Sequence, residues 1–437
     1  MYLIKFSPKL AHMKYDYAQL LIDVQKKSNI AIHSIKDLKM LNIELECYLV
    51  KPIGFNTLRR LFGFLPSTNP SISTLNTLSK YLGFSSFTNY KNHQSNYTEW
   101  YFQQKLLRLQ SQKNISVEAV EEINIGLRDE NNLLYLAYFI TYQIEKNNIK
   151  NLQTIFNHIH VSNISHTQLH KMSSIVITSL INTQEDKALN LYSTLIPNEI
   201  FRNNITLPYI NYAHLNSRYS KILAIIENHA ANSSDLLFVT LMKYYRHFYC
   251  EKSFDFKYKI EKPKGFSNFY SVLKGRYYAC CIMKSNQITK KLKREIYAEC
   301  ENIKISFFFE EIIPSLVIKS EYDFLIEIFD RYYEELLESD IWSTTTSNAL
   351  YLIGLANINW KNKQLSSAKI NLELINLELI ELAYFEYVSL FYYLTKLKIS
   401  YSEINYVDNK QEKLNINKLV KLTGFTKFST LSKEYYL

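Results

Sequence analysis

Two arginines and one asparagine have the side chains best suited to binding a charged ligand. Asn56, Arg59 and Arg60 are three and four residues apart, so on a helix they would share one face. A guanidinium group forms bidentate contacts with phosphate or guanine, and an asparagine amide forms them with adenine. The spacing therefore predicts a surface for nucleic-acid contact, on a helix that must hold these side chains outward.

A second kind of chemistry, metal binding, is suggested by the densest group of histidines, His158, His160, His166 and His170. On a helix, His166 and His170 would share a face and could chelate a metal. No carboxylate or cysteine lies near them in the sequence, and no histidine begins an H-E-x-x-H motif. We expect solvated or hydrogen-bonded histidines and no metal site.

Adjacent glutamates are a third candidate for catalysis, and three such pairs occur: Glu121-Glu122, Glu310-Glu311 and Glu334-Glu335. Consecutive side chains on a helix point in different directions, so the two carboxylates of a pair do not face each other. We predict that these pairs lie on solvated helix faces.

The cysteines form no metal or redox motif. Cys47, Cys250, Cys280, Cys281 and Cys300 are odd in number and have no C-x-x-C spacing. We expect reduced, mostly buried thiols, no cofactor, and a chain that is not an enzyme. Since no signal-peptide-like stretch or membrane-length apolar run is present, we also expect a cytoplasmic location without membrane binding.

Glycine and proline are scarce, which limits the fold. The 437 residues include 8 Gly and 8 Pro, against about 30 and about 20 at average usage. No two glycines are closer than nine residues, so the phosphate-binding motifs G-x-G-x-x-G and G-x-x-x-x-G-K-[ST] are excluded. A turn-rich β-sandwich or barrel is excluded as well. The composition predicts an all-α fold of long helices.

Positive charge is concentrated near the start of the chain. The net charge is +10, and residues 1–95 hold twelve basic and five acidic residues, a net of +7. A basic segment on a nearly neutral remainder is typical of a nucleic-acid-binding module. A genome rich in A and T would also raise the lysine content, but it would do so along the whole chain.

Helix signals divide the basic segment into short elements. Asn56 to Phe62 is predicted to form a helix that ends at Gly63 and buries Leu58, Leu61 and Phe62. Ser71 or Ser73 is predicted to cap a second helix, Thr74 to Leu82, which ends at Gly83. A third helix is predicted to begin at Ser85 or Ser86 and to bury Phe87 and Tyr90.

This layout resembles the lambda-repressor/Cro-like helix-turn-helix family over about residues 17–92. The matching positions are Thr57, Leu58, Arg60, Gly63, Pro70, Thr74, Leu75, Leu78, Leu82 and Gly83. The resemblance implies that residues 56–60 belong to the recognition helix and that residues 38–49 form the helix before it. It implies DNA contacts from Asn56, Thr57, Arg59, Arg60, Lys51, Lys80 and Lys91. The same stretch is similar to uncharacterised helical proteins of Bacteroidetes.

Beyond a polar stretch at residues 90–97, apolar blocks recur at helical spacing and suggest helix pairs of roughly 30–40 residues. The clearest pair covers residues 348–372 and resembles a degenerate tetratricopeptide repeat. There we expect the small residues Gly354, Ala356 and Ala368 to let two antiparallel helices approach closely. An irregular helical bundle is the alternative. The domains predicted are a basic helix-turn-helix head, residues 1–92, and a helical-repeat body, residues 97–437.

Together these features predict a DNA-binding transcriptional regulator. Its head would bind double-stranded DNA, and its α-solenoid body would dimerise or bind a peptide or protein. This organisation is similar to that of peptide-sensing regulators that join a Cro-like head to tetratricopeptide repeats. The alternative is a non-enzymatic scaffold that uses both parts to bind proteins.

Overall fold

The computed structural model describes residues 17–49, 53–66, 68–92, 95–162, 164–230, 232–251, 259–337, 344–403 and 410–435. Over these ranges the chain is helical and contains no strand, as the composition predicts. It divides into two units, Met1–Lys105 and Leu106–Leu437.

The first unit is built from five short helices, and a sixth contains the division point. They are α1 Ala18–Ser28, α2 Ile35–Tyr48, α3 Phe55–Leu61, α4 Ile72–Leu82, α5 Phe87–Asn92 and α6 Ser95–Gln110. One apolar cluster joins α1 to α5, with Leu20, Leu38, Leu58 and Leu78 fully buried at its centre. Such a shared core fixes the relative directions of helices that are too short to be stable alone.

Local capping signals determine where these helices begin and end. Ser34 and Asp37 form a capping box at the start of α2, and the Ser71 hydroxyl accepts a hydrogen bond from the Thr74 amide at the start of α4. Gly63, just after α3, and Gly83, at the end of α4, adopt the left-handed conformation, with φ of 74° and 101°. The end of α4 before Gly83 is as predicted; α3 ends at Leu61, one residue before the predicted Phe62, and α4 begins at Ile72, two residues before the predicted Thr74.

The second unit contains the remaining helices. They are α7 Val117–Gly126, α8 Leu133–Glu145, α9 Ile149–His158, α10 His166–Asn182, α11 Glu185–Leu195, α12 Glu199–Phe201, α13 Arg218–Asn228, α14 Ser233–Cys250, α15 Ser271–Lys284, α16 Lys290–Glu299, α17 Ile305–Ile318, α18 Tyr322–Leu337, α19 Thr344–Lys361, α20 Leu365–Glu373, α21 Phe385–Tyr401, α22 Lys410–Thr423 and α23 Thr426–Ser432. A π-helical turn, Arg202–Thr206, follows α12.

Two parallel helices, α15 and α17, pack unusually closely. A β-carbon at position 275 would overlap the backbone carbonyl oxygen of Phe308, so only glycine fits there. One residue further along α15 and three residues further along α17, the guanidinium of Arg276 meets the carboxylate of Glu311, with Nε 3.0 Å from Oε1. The paired positions advance in the same sense, which shows that the two helices run parallel.

The prediction that Glu310 and Glu311 lie on a solvated face is wrong. Glu311 is 2% exposed, and besides the ion pair with Arg276 it accepts hydrogen bonds from the hydroxyls of Tyr212 and Tyr245. Arg276 uses its two terminal nitrogens to donate to the carbonyls of Leu207 and Pro208. A buried ion pair is tolerated when its hydrogen-bonding groups are satisfied in this way. The pairs Glu121-Glu122 and Glu334-Glu335 are exposed, as predicted.

Glu310 lies beside this ion pair and differs from Glu311 in its protonation state. Its carboxyl accepts a hydrogen bond from the Ser347 hydroxyl of α19 at 2.6 Å. Burial, together with the neighbouring negative charge of Glu311, raises the pKa of Glu310 to about 8. The side chain is therefore mostly protonated at neutral pH.

Of the three small residues predicted to lie between the helices of the repeat pair, Gly354 packs elsewhere. Helices α19 and α20 do pack on each other, and Ala356 and Ala368 are fully buried. The open side of Gly354, however, faces Ile313 of α17 and Phe329 of α18, not α20. Gly354 therefore allows side chains of α17 and α18 to approach α19. The local sequence does not predict this contact, because these helices are not part of the pair.

Aromatic rings and thiols of the second unit are largely internal. Tyr245 and Tyr249 of α14, for example, are buried. All five cysteines are free; Cys47 is exposed, Cys281 is half-buried and the other three are buried. Within the described ranges, no helix combines the length and apolar character needed to cross a membrane.

Candidate nucleic-acid interface

Helix α3 is a short element held by its apolar side. Leu58 and Leu61 are buried in the core of the first unit, and Phe62, just after the helix, is 5% exposed. The chain then leaves the helix at once, because the amides of Phe64 and Leu65 bond back to the carbonyl of Arg59. This tight ending leaves the opposite side of α3 on the surface.

The residues on the outer side of α3 are those that the sequence singles out. Asn56 and Arg60 are exposed, and Arg59 is half-buried. Arg59 donates from Nη1 to the Asn56 side-chain oxygen at 3.3 Å, which confirms that these two side chains share a face. Neither arginine forms an ion pair with an acidic residue in the described part of the chain.

The Nε atom of Arg59 is buried and has no hydrogen-bond partner among the described residues. A guanidinium group has five donors, so Arg59 keeps donors beyond the one that contacts Asn56. Because one edge of the group is held by the protein, fewer rotamers are lost when the outer edge binds an acceptor. Arg60 is less restrained and resembles an ordinary surface arginine.

The other predicted contact residues are spread over several elements. Thr57 is half-buried on α3, Lys80 is exposed in the last turn of α4, and Lys91 is exposed on α5. The Lys91 ammonium lies 5.3 Å from the centre of the Phe87 ring. Lys51 lies outside the described residues. The structure therefore groups Asn56, Arg59 and Arg60 and leaves the lysines on other helices.

Two lysines at the start of α2 were not among the predicted contact residues. Lys36 and Lys39 are exposed, and neither forms an ion pair with a described residue. Their signal in the sequence was their place, three residues apart, in the first two turns of the helix that precedes α3.

Two partly buried polar contacts join the helices that carry this surface. The Tyr90 hydroxyl donates to Asp23 at 2.7 Å, and the Lys27 ammonium donates to the carbonyl of Tyr81. Burial, and next the negative charge of Glu44, raise the pKa of Tyr81 to about 12, so its hydroxyl stays neutral. The Lys27 ammonium also lies 4.9 Å from the centre of the Tyr81 ring, so this lysine ties α1 to the end of α4.

Metal binding is not supported by the geometry of the described side chains. No group of three or more histidine, cysteine or acidic residues among them could hold a metal ion. His170 packs against Phe307 and Tyr209, with ring centres 4.8 and 5.6 Å away, and burial lowers its pKa. The side chain of His166 lies outside the described part.

Comparison with protein-family models, with curated proteins and with solved structures finds no match for this chain.

Proposed function

We propose that this chain is a cytoplasmic, DNA-binding transcriptional regulator whose first unit places α3 on double-stranded DNA. The observation that carries the proposal is the outer side of α3, where Asn56, Arg59 and Arg60 lie together without an acidic partner among the described residues. Arginine and asparagine are the side chains that most often read guanine and adenine edges in the major groove.

Surrounding charges support the same proposal. Lys36 and Lys39 on α2, with Lys80 on α4, add exposed cations to the first unit. Phosphate contacts by such residues supply most of the sequence-independent affinity for DNA. The lambda-repressor/Cro-like arrangement would then use α2 and α3 as its two motif helices.

The test is a salt titration of the full chain with a fluorescent mixed-sequence duplex, followed by anisotropy. We expect the logarithm of the affinity to fall linearly with the logarithm of the salt concentration, by about 0.9 per neutralised phosphate. Arg60→Ala should lower the slope by about one if Arg60 contacts phosphate. Arg294→Ala, which removes an exposed arginine from α16 of the second unit, should leave slope and affinity unchanged.

Two results would refute DNA binding: no affinity for the duplex at low salt, or an affinity that does not change with salt. If DNA binding holds, selection of duplexes from a random pool by the full chain would identify the preferred sequence. Arg59→Ala and Asn56→Ala should then each relax the preference at a single base pair. The binding free energy that separates the preferred base pair from the others should fall by about 1–3 kcal/mol in each variant.

A protein-binding scaffold is the second candidate, and one observation favours it. On α2, Met40 and Ile43 are 51% and 60% exposed and lie on one face. Exposed apolar side chains on a helix surface are typical of protein contacts. The same titration separates the two functions, because apolar contacts of this kind do not weaken steeply with added salt.

For the second unit we propose a role in self-association or in binding a peptide or protein. Large apolar side chains are exposed along the chain from α20 to α21: Ile370, Leu374, Leu379, Leu382 and Phe385. A second copy of the chain is the occupant we favour, because helix-turn-helix proteins that bind two half-sites do so as dimers.

A further inference from the structure

Asn56 and Arg59 form one hydrogen-bonded pair on the outer side of α3, and the chemistry of the pair limits which DNA edge it can read. The Nη1 atom of Arg59 donates to the Asn56 side-chain oxygen at 3.3 Å. A guanidinium group has donors only, so the atom of the asparagine amide that faces it must be the oxygen. Arg59 therefore fixes the orientation of the Asn56 amide.

Arg59 is itself restrained at three points. Its backbone carbonyl accepts hydrogen bonds from the amides of Phe64 and Leu65, its Nε atom is buried, and its Nη1 atom is held by Asn56. Of the five N–H donors of a guanidinium, one on Nη1 and two on Nη2 are left for a ligand. These donors lie at the end of the group, where two parallel hydrogen bonds can form with two neighbouring acceptors.

The pair offers donors outward and no free acceptor. A single asparagine reads adenine by accepting from the N6 amino group and donating to N7. In this pair the Asn56 oxygen already accepts from Arg59, and a second donor at that oxygen would lie beside a positive charge. The edge of adenine, which carries one donor and one acceptor, therefore does not match the pair.

Two partners on DNA present a pair of acceptors and no donor: the O6 and N7 atoms of guanine, and two oxygens of one phosphate. Arg60 is exposed and suits a phosphate, since its side chain can adapt to the position of the backbone. The restrained Arg59 suits a base edge, because a guanidinium that already has a fixed direction loses less freedom on binding.

We infer that Arg59 selects a guanine in the major groove and that Asn56 is a positioning residue, which holds Arg59 for this contact and does not read adenine. The inference rests on the proposed DNA binding by the first unit. It adds the identity of one base, and it assigns the two side chains to the same base pair.

Selection of duplexes from a random pool by the full chain tests the assignment. We expect a G·C pair to be enriched at one position, Arg59→Ala to lose that preference, and Asn56→Ala to weaken it at the same position. The double variant should be no worse than Arg59→Ala, since Asn56 acts through Arg59. Arg294→Ala, at an exposed position of α16, should select the same sequences as the unmodified chain.

Asn56→Asp separates positioning from direct reading. Aspartate keeps an oxygen that accepts from Arg59 but has no amide donors. We expect this variant to retain the preference for guanine, while its negative charge lowers the affinity for all duplexes. An asparagine that read a base directly would lose its preference in Asn56→Asp and Asn56→Ala alike.

A base analogue tests the contact without any change to the protein. Replacing the selected guanine by 7-deazaguanine removes the N7 acceptor and should weaken binding about tenfold or more, as expected for losing one hydrogen bond to a charged group. The same replacement at a guanine outside the selected site should leave the affinity unchanged. In Arg59→Ala the analogue should have no effect, because the donor to N7 is gone.

The outcomes distinguish this inference from the proposed function. If the full chain has no affinity for duplex DNA, both are refuted. If it binds DNA, the inference alone is overturned by any of three results: a selected site without the guanine, a loss of preference at two different base pairs in Arg59→Ala and Asn56→Ala, or an Asn56→Asp variant that behaves as Asn56→Ala does. A phosphate contact by Arg59 would also overturn it, and would appear as a lower salt slope in Arg59→Ala with an unchanged base preference.

Discussion

Arg276 and Glu311 lose nearly all contact with water in the second unit, since their side chains are 0% and 1% exposed. At the residue scale, such a pair is held by its other hydrogen bonds, to two backbone carbonyls and two tyrosine hydroxyls. Removing one partner of a buried pair leaves the other charge unpaired, which typically costs about 3–5 kcal/mol. The pair therefore fixes the chain segment at Leu207 to Tyr212 against α15 and α17.

Glu310 gives a residue-scale prediction about pH. The pKa of this carboxyl is about 8 in the folded chain, against 4.5 for a free glutamate, so the folded state binds the proton more tightly. Stability from this group is fully present below pH 4.5 and is lost as the pH rises to 8. One pKa unit corresponds to about 1.4 kcal/mol. We therefore expect the free energy of unfolding to decrease by several kcal/mol across that window.

Urea unfolding at about pH 5.5 and about pH 8.5, followed by circular dichroism, measures this change. Glu310→Gln keeps an oxygen that can accept from Ser347 and has no proton to lose, so it should remove most of the pH dependence. Glu334→Gln, at an exposed acidic pair, should behave as the unmodified chain does. An equally steep decrease in the Glu310→Gln variant would show that another group is responsible.

At the element scale, the contact between α15 and α17 predicts an unusual sensitivity at one glycine. Alanine is normally the better helix former by about 1 kcal/mol. At position 275, however, its β-carbon would overlap the Phe308 carbonyl, and backbone cannot move aside as a side chain can. We expect Gly275→Ala to destabilise the chain by roughly 2 kcal/mol or more.

Gly354→Ala is the matched comparison for this prediction. Its β-carbon would meet side-chain atoms of Ile313 and Phe329 at 3.0 and 3.1 Å, and these can shift slightly. A change within about 1 kcal/mol is therefore expected, since the gain in helix propensity offsets the crowding. If chemical denaturation gave equal stabilities for the two variants, the close approach at Gly275 would not be real.

Elements with short-range signals could be predicted from the sequence. The ends of α3 and α4 follow from Ser71, Gly63 and Gly83, whose effects reach only a few residues. The outward placement of Asn56 and Arg60 follows from the apolar spacing of the same helix. The partial burial of Arg59 does not, because it depends on how neighbouring elements pack.

Long-range contacts explain what the sequence did not reveal. Glu311 is paired with Arg276, 35 residues away, and with Tyr212, 99 residues away. No sequence pattern near Glu311 therefore predicts that its side chain is buried. No sequence motif predicts the π-helical turn at Arg202–Thr206 either. A cavity of about 520 Å³ borders this turn at Asn203 and Asn204, and residue spacing does not predict it, for the same reason.

At the scale of the whole molecule, the proposed self-association can be measured directly. Ile370 and Leu374 are 56% and 66% exposed and are four residues apart on one face at the end of α20. We expect the full chain to sediment as a dimer at micromolar concentration and Leu374→Glu to shift it to a monomer, because a buried carboxylate is unfavourable.

Leu422→Glu, which places the same charge at an exposed leucine of α22, should remain dimeric. A monomer for the unmodified chain would exclude this part of the proposed function, while leaving the salt titration of the first unit to decide on DNA binding. Dimers in both variants would place the interface elsewhere on the surface.

The glycine at position 275 also has an evolutionary consequence. No larger residue fits against Phe308, and the loss of either Arg276 or Glu311 alone would leave the other charge buried and unpaired. In homologues we therefore expect position 275 to stay glycine, and we expect positions 276 and 311 to change only together.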